Sequence, residues 1–361
     1  MCEKPVVLAQ RYWTISNSSL EIALLALLWV VVVAARGALD VPGATWTLGD
    51  VALLGTLSSL VRRAYTAHLE ACYYKYPQLR TQPPKKAVGE TPRDVTGRTD
   101  LELATIDFHD RFTMLSKLFA CDLLFYLTIG RILYPVFATS HNPVYWLARV
   151  VGHHYVLSFG MYWAHRNLHV NPFLWRHIHS LHHYAKTPLA RATYEDHWLD
   201  NYANAIVSEV ATQIILPLPK PLLFASRLFR VCESLEKHSG MSGPINVAHT
   251  AQFWLPFAQM PHHHDWHHEG HKGSNYTFAS IGGLWDFLFG TRHPGRSAKN
   301  AARAATYRDA NQNAAEGGKK LKSRYTAFLD NPVVCAVPPL LFFAVAVQKV
   351  AMAAAAAAAA S

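Results

Sequence analysis

Long apolar runs alternate with short basic, proline-containing stretches along this chain, and that pattern predicts helices joined by polar linkers. The first run, Ile22 to Ala35, is bounded by Glu21 and Arg36 and predicts a short membrane crossing or a signal anchor. Val51 to Val61 ends on Arg62 and Arg63 and predicts a weaker segment that pairs with the first as a hairpin, and Gln78 to Asp100, with Pro83, Pro84, Lys85 and Lys86, reads as a linker. Leu118 to Ala138 is mostly apolar and long enough to span hydrocarbon at about 1.5 Å per residue. Pro143 to Trp163 is a second such run. Ala203 to Ala225 is apolar but carries Glu209, Pro217, Pro219 and Pro221, which predicts a broken or re-entrant helix. Val333 to Val347, continued by Ala353 to Ala360, predicts a terminal membrane helix, with an interfacial or disordered low-complexity end as the alternative.

Composition sharpens this picture. Of 361 residues, 51% are hydrophobic and 16% charged, too apolar a balance for an ordinary soluble domain. The net charge of +10 comes from two basic stretches, Arg62 to Arg98 and Arg292 to Arg324, that flank apolar segments. The positive-inside rule accounts for that distribution and puts both stretches on the cytoplasmic side, so no nucleic-acid partner is expected. Cys2, Cys72, Cys121, Cys232 and Cys335 are scattered without paired spacing, which argues against a disulfide framework or a thiolate zinc site. Asn17-Ser18-Ser19 matches a glycosylation sequon on the opposite side of a first span.

Histidine is the anomaly: 17 of 21 fall between His153 and His271. His165 and His169 stand i, i+4 at the end of an apolar helix, so both imidazoles occupy one face. His179-Ser180-Leu181-His182-His183 follows, in which the first two histidines are expected to share a face and the third to point away, so that the triplet reaches two neighbouring metals. The same grammar returns at His264-Asp265-Trp266-His267-His268, and His238 lies between them. Eight or more neutral nitrogens call for two metals, since a catalytic zinc takes about three protein ligands. Imidazole suits zinc, copper, iron and nickel. A non-catalytic zinc-binding membrane protein is the competing class, although a zinc carrier would string His and Asp along several spans.

These boxes, together with Asn275-Tyr276 and Leu284-Trp285-Asp286-Phe287-Leu288-Phe289-Gly290-Thr291, resemble the fatty acid hydroxylase and sterol desaturase superfamily over about Tyr145 to Arg292. Glu233, His238-Ser239-Gly240, Leu255-Pro256-Phe257 and His263-His264-Asp265 are most similar to methylsterol monooxygenases and sterol side-chain hydroxylases; sphingoid-base hydroxylases carry a similar stretch. The chain departs from that pattern at Met241, where an aromatic residue usually follows the glycine, and at Trp198, where proline is common.

The resemblance implies an all-α fold, an integral membrane helical bundle with a cytosolic histidine-rich di-metal cap in the endoplasmic reticulum membrane. Together with the hydropathy pattern it leads to an expected division into membrane segments (1–78), a polar linker (79–111), a catalytic domain (112–292), a basic linker (293–330) and a hydrophobic tail (331–361), the tail lying outside the family core. It implies two iron ions held by His165, His169, His179, His182, His183, His238, His264, His267 and His268, all but His238 also forming the catalytic centre. His177, His197, His249, His263 and His271 are extra ligand candidates or supports. Asp265 is read as an acceptor for an imidazole N–H or as a capping residue, and Trp285 and Asp286 as packing and capping residues. Arg166 is read as a solvated charge or a phosphate or carboxylate contact at the membrane surface. Phe278, Tyr276, Trp254 and Phe257 are candidates for a lipid groove or interfacial anchors.

The implied reaction is hydroxylation of a lipid C–H bond with O2, a methylsterol first. A sphingoid-base or sterol side-chain hydroxylase, or a sterol desaturase, is the alternative. His293-Pro294-Gly295 lacks the acidic context of a haem-binding motif, so electrons are expected from a separate cytochrome b5 or a reductase.

Overall fold

The structure, a computed structural model, describes residues 23, 25–30, 32–34, 46–81, 108–113, 122–123, 142–185, 188–268, 274–278, 280–292 and 328–360. The sequon at Asn17, nearly all of Leu118 to Ala138, His271, His293-Pro294-Gly295 and most of both linkers lie outside these residues. Among the described residues every element is helical, and the β pairing is one isolated bridge between Arg80 and Met241.

Helix α1, Leu48–Lys75, starts at a capping box in which the Thr47 hydroxyl accepts from the Asp50 N–H and the Asp50 carboxylate accepts from the Thr47 N–H. It does not stop at Arg62 and Arg63, where the hydropathy pattern ends. Arg62 finds Asp110 at 2.7 Å and lies over the Tyr194 ring, so charges that look terminal in sequence are matched on the helix flank.

Helix α2, Pro143–Val170, is capped by the Asn142 side chain with Pro143 in its first turn, and runs 28 residues, about 42 Å. It therefore carries the apolar run and the first histidine pair on one rod. Asn171 ends α2 and caps α3, Pro172–His177, with its side chain accepting from the Phe173 and Leu174 N–H groups.

The segment expected to be broken is broken. Helix α4, Trp198–Asn201, passes through a π-helical turn at Tyr202–Ile206 into α5, Val207–Ile215. The chain then turns at 216–219 and returns as α6, Lys220–Lys237. The last carbonyls of this hairpin tip are satisfied from other helices: Lys349 donates to Ile215 O at 2.6 Å, His153 to Leu216 O at 2.8 Å and Arg149 to Pro217 O at 2.9 Å.

Short helices α7, Val247–Gln252, α8, Pro261–His268, and α9, Gly283–Leu288, cover the end of the bundle where α2 and α6 finish. Helix α10, Pro332–Ala360, packs along α2 and α5. Contact there is close: a Cβ on Gly160 of α2 would stand 2.8 Å from the Phe342 ring and 3.0 Å from the Ser208 hydroxyl.

Within α10, Pro332–Ala356 is the one described helical stretch long and apolar enough to cross a membrane. Its 25 residues rise about 37 Å against a hydrocarbon thickness of about 30 Å. Val333, Leu340, Leu341 and Phe343 on it are exposed. The expected set of several apolar crossings is thus represented by one, because α1, α2, α5 and α6 carry charged or imidazole side chains along their length, many of them turned inward. Arg227 of α6, for example, is buried against Asp122 at 2.9 Å and also pairs with Glu209 of α5.

Candidate metal centre

Nine buried or half-buried histidines meet where α2, α6 and α8 end, and they sort into two groups. His165, His169, His179, His183 and His267 form one; His182, His238, His264 and His268 form the other; within each, the nitrogen atoms lie within 4.8 Å of one another. The groups abut, with the His183 and His268 rings stacked at 4.4 Å between centroids.

Helical spacing explains the sorting and corrects one expectation. At about 100° per residue, positions i and i+4 differ by about 40° and i and i+3 by about 60°. His264 and His268 of α8 accordingly enter the same group, while His267 enters the other. The second box inverts this arrangement: His179 and His183 join the five-membered group and His182 the four-membered one. The expected pairing of His179 with His182 fails: His179 shares its group with His183, four residues on, just as His264 does with His268, and the i+3 histidine of each box goes to the other group. Each box still reaches both groups.

The tautomers are fixed from behind. The Nδ1 atoms of His165, His267 and His179 lie 2.6 Å from Tyr276 O, 2.7 Å from Ser274 O and 2.6 Å from the Asp200 carboxylate. Those of His238 and His268 lie 3.0 Å from Ser234 O and Ala185 O. A carbonyl or carboxylate only accepts, so each Nδ1 carries the proton and each Nε2 is left as a bare lone pair. In the five-membered group the Nε2 atoms of His165 and His169 stand 3.1 Å apart, and each lies 2.9–3.1 Å from those of His179 and His267. In the other, His238 Nε2 is 2.9 Å from His264 Nε2 and 3.3 Å from His182 Nε2.

Lone pairs without intervening protons repel at that distance, so the arrangement fits a cation at each focus. For nitrogens about 2.1 Å from one ion, tetrahedral neighbours stand about 3.4 Å apart and right-angle neighbours about 3.0 Å. The spacing in the five-membered group matches the second case, which five ligands also require.

Burial keeps these rings neutral. Desolvation, then the neighbouring imidazoles, hold His165, His169, His183, His264 and His268 well below the ordinary histidine value. Desolvation likewise takes His267 down to about 3 and His238 to about 4, although their carbonyl partners pull the other way. Neutral imidazole is the metal-binding form.

The other sequence candidates fall elsewhere. His177 is exposed against the Phe173 ring, His197 caps α4 and lies against the His109 ring at 4.3 Å, and His263 bonds the Met260 backbone. His249 donates to Glu236 at 2.7 Å, and Glu236 also accepts from the first N–H groups of α7 and from the Tyr65 hydroxyl. Asp265 accepts from Thr81 at 2.7 Å. Asp200, unremarked in sequence, is the carboxylate behind an imidazole; only the fold brings it to His179, 21 residues away.

Arg166 is fully buried. It pairs with Asp330 at 2.7 Å, takes the Tyr162 hydroxyl at 2.8 Å and lies against the rings of Trp163 and Tyr276, so its carboxylate contact is internal and not at the membrane surface. Asp286 is packed as expected of a support. It accepts from the Tyr276 and Thr277 N–H groups, Gln259 and Thr291, fixing the strip whose carbonyl holds His165. Trp285 donates to Ser158 at 2.8 Å. Trp254 and Phe257 are exposed, Tyr276 is buried among rings, and Phe278 borders a cavity of about 140 Å³ that also touches His182 and His238.

Residues 150–291 match the fatty acid hydroxylase family. Similar curated proteins include a very-long-chain aldehyde decarbonylase of Oryza sativa subsp. indica, 30% identical over 141 residues, 38% of this chain and 52% of that protein. A putative methylsterol monooxygenase of Dictyostelium discoideum is 32% identical over 145 residues, 37% of this chain and 46% of that protein. A sphinganine C4-monooxygenase of Arabidopsis thaliana is 28% identical over 141 residues, 38% of this chain and 52% of that protein. The chain spans about half the length of the curated relatives it matches, and no solved structure matches it. The matched family region contains all nine histidines of the two groups.

Proposed function

We propose that the protein is a membrane di-iron oxygenase that hydroxylates a C–H bond of a lipid, with O2 as co-substrate and electrons from a separate cytochrome b5 or a reductase. The observation that carries this reading is the convergence of nine imidazoles into two adjoining groups, five of whose rings present a bare Nε2 because Nδ1 is held from behind. His165, His169, His179, His183 and His267 would hold one ion, and His182, His238, His264 and His268 the other. Iron supplies O2 activation and electron transfer that no side chain provides alone. The right-angle spacing of the five-membered group favours such an ion over a four-coordinate structural zinc.

The chain's own residues do the rest. Tyr276 O, Ser274 O and Asp200 hold three rings in the tautomer that presents Nε2. Complete burial of the rings excludes bulk water. The cavity borders the group of His182 and His238, so a lipid carbon placed there lies against that side of the centre. The exposed apolar face of α10 supports membrane association. The further reading, a multi-pass protein of the endoplasmic reticulum membrane with the histidine centre at the cytosolic face, rests on the apolar runs and basic stretches of the sequence. A methylsterol, a sterol side chain and a long-chain base are the substrates this chemistry serves; a desaturated product comes from the same centre if a second hydrogen leaves.

Elemental analysis of the purified protein, with lipid-dependent O2 uptake and product mass, tests this. Two irons per chain and a product heavier by one oxygen are expected. One zinc per chain with no O2 uptake would overturn the reading in favour of a zinc-binding membrane protein.

A further inference from the structure

The cavity beside the four-histidine group runs between α2 and α6, from His153 and Leu223 at its far end to His182 and His238 at its near end. Its wall is unusually polar for a chamber that receives a lipid, and most of that polarity is matched internally. Arg227 pairs with Asp122 and Glu209, Arg230 with Glu233, and Asp200 accepts from His179 and Asn204.

Two groups on the wall are not matched in this way. Asp196 is 7% exposed, no cation among the described residues pairs with it, and its one side-chain hydrogen bond is a long 3.4 Å contact from the Asn201 amide. Asn204 is 5% exposed; its NH2 donates to Asp200 at 2.6 Å, which fixes the amide orientation and leaves Oδ1 buried with no partner. Both residues border the cavity, and Asn204 lies within the π-helical turn, a distortion frequent at functional sites. An unmatched carboxylate and an unmatched amide oxygen are both acceptors. The group they call for is a donor, and beside the carboxylates of Asp196 and Asp200 a positively charged one.

We propose that Asp196 and Asn204 form a head-group subsite for a lipid with a primary ammonium, a long-chain amine or amino alcohol, whose first carbons then lie beside His182 and His238. An ammonium brings three N–H donors and one charge, whereas the single hydroxyl of a sterol brings one donor and none. Burial, with Asp200 and Asp110 nearby, raises the Asp196 carboxyl well above the usual range, and a bound cation would act in the opposite direction. The Arg62 guanidinium on α1 is committed to Asp110 at 2.7 Å. A cavity of about 140 Å³ has room for roughly five water-sized groups. The head and a few carbons fill it, and the reacting carbon is therefore close to the nitrogen.

The subsite rests on the lipid-oxygenase reading, and binding separates the two. Octadecylamine and octadecanol are compared by equilibrium binding to the iron-loaded full chain in neutral detergent micelles at pH 7, for the wild type, Asp196→Asn and Asp196→Glu. The wild type is expected to bind the amine at least tenfold more tightly than the alcohol. Asp196→Asn should bring the two within about twofold, and Asp196→Glu should restore part of the preference, with metal content unchanged in both variants as the check on folding. Equal binding of amine and alcohol by the wild type, or an amine preference that survives in Asp196→Asn, overturns the subsite. Oxidation of lipids without amine preference would leave the oxygenase reading standing and remove the subsite. An amine preference with no oxidation of any lipid would do the reverse.

Discussion

Replacing Asp200 by alanine tests whether the histidine foci hold metal and whether the rings are aimed from behind. Asp200 accepts the Nδ1 proton of His179 at 2.6 Å and the Asn204 amide at 2.6 Å, with 2% of its surface exposed. A hydrogen bond to a charged group contributes about 1.5–3 kcal/mol, and outer partners of a ligating histidine are worth about 10–100-fold in metal affinity. Asp200→Ala removes the carboxylate and frees the His179 ring to rotate, so its loss should fall at the upper end of that range. Asp200→Asn keeps a neutral acceptor, and its loss should fall near the lower end. The assay is metal retention per chain after dialysis against graded chelator, followed by elemental analysis. Asp50→Asn serves as the control, since Asp50 pairs with Lys220 at 2.9 Å at the start of α1, away from the histidines. Unchanged retention in Asp200→Ala, or an equal loss in Asp50→Asn, would refute the reasoning.

His182→Ala should abolish product formation while the protein still enters membranes; retained turnover would remove His182 from the centre. Truncating Arg166 to methionine leaves the half-buried Asp330 without that ion pair and should cost less than a fully buried pair would, about 3–5 kcal/mol, read as a lower denaturation midpoint. The metal-free protein should lose stability as pH falls below about 6.5. Its folded histidines are held low, with His238 at about 4 and His267 at about 3, so the unfolded chain binds more protons across that window. The stability these rings confer is full above the unfolded value and lost toward the folded ones. A flat denaturation midpoint from pH 7 to 5 would contradict this. Arginine at Leu341, exposed on α10, should hinder insertion by about 2.5–3.5 kcal/mol if that helix crosses a bilayer, measured as the membrane-integrated fraction.

The histidine boxes were legible in sequence because ligand spacing on a helix is a local property. The division of nine rings into five and four was not, since it depends on which way the second and third boxes face each other across the fold, the i, i+4 pair of one joining the single histidine of the other. The break between α5 and α6 was legible from Pro217 and Pro219, which no helix interior accommodates without loss. The continuation of α1 past Arg62 and the burial of Arg166 were hidden for one reason: hydropathy registers a charge but not the distant carboxylates, Asp110 and Asp330, that neutralise it. Asp200 and Asn204 were invisible for the same reason, because neither belongs to a spaced motif. The apolar character of α10 was plain in sequence; its packing against Gly160 was not.

The hairpin tip between α5 and α6 has a further consequence. A helix that stops far from water normally leaves carbonyls begging for donors, and such ends are rarely tolerated in an oily layer. Here Lys349, reaching across from the last helix, closes one of them, and two residues of α2 close the next two. The terminal helix is therefore a keystone as well as an anchor: trimming the chain before Lys349 would leave the Ile215 carbonyl at the hairpin tip without that donor.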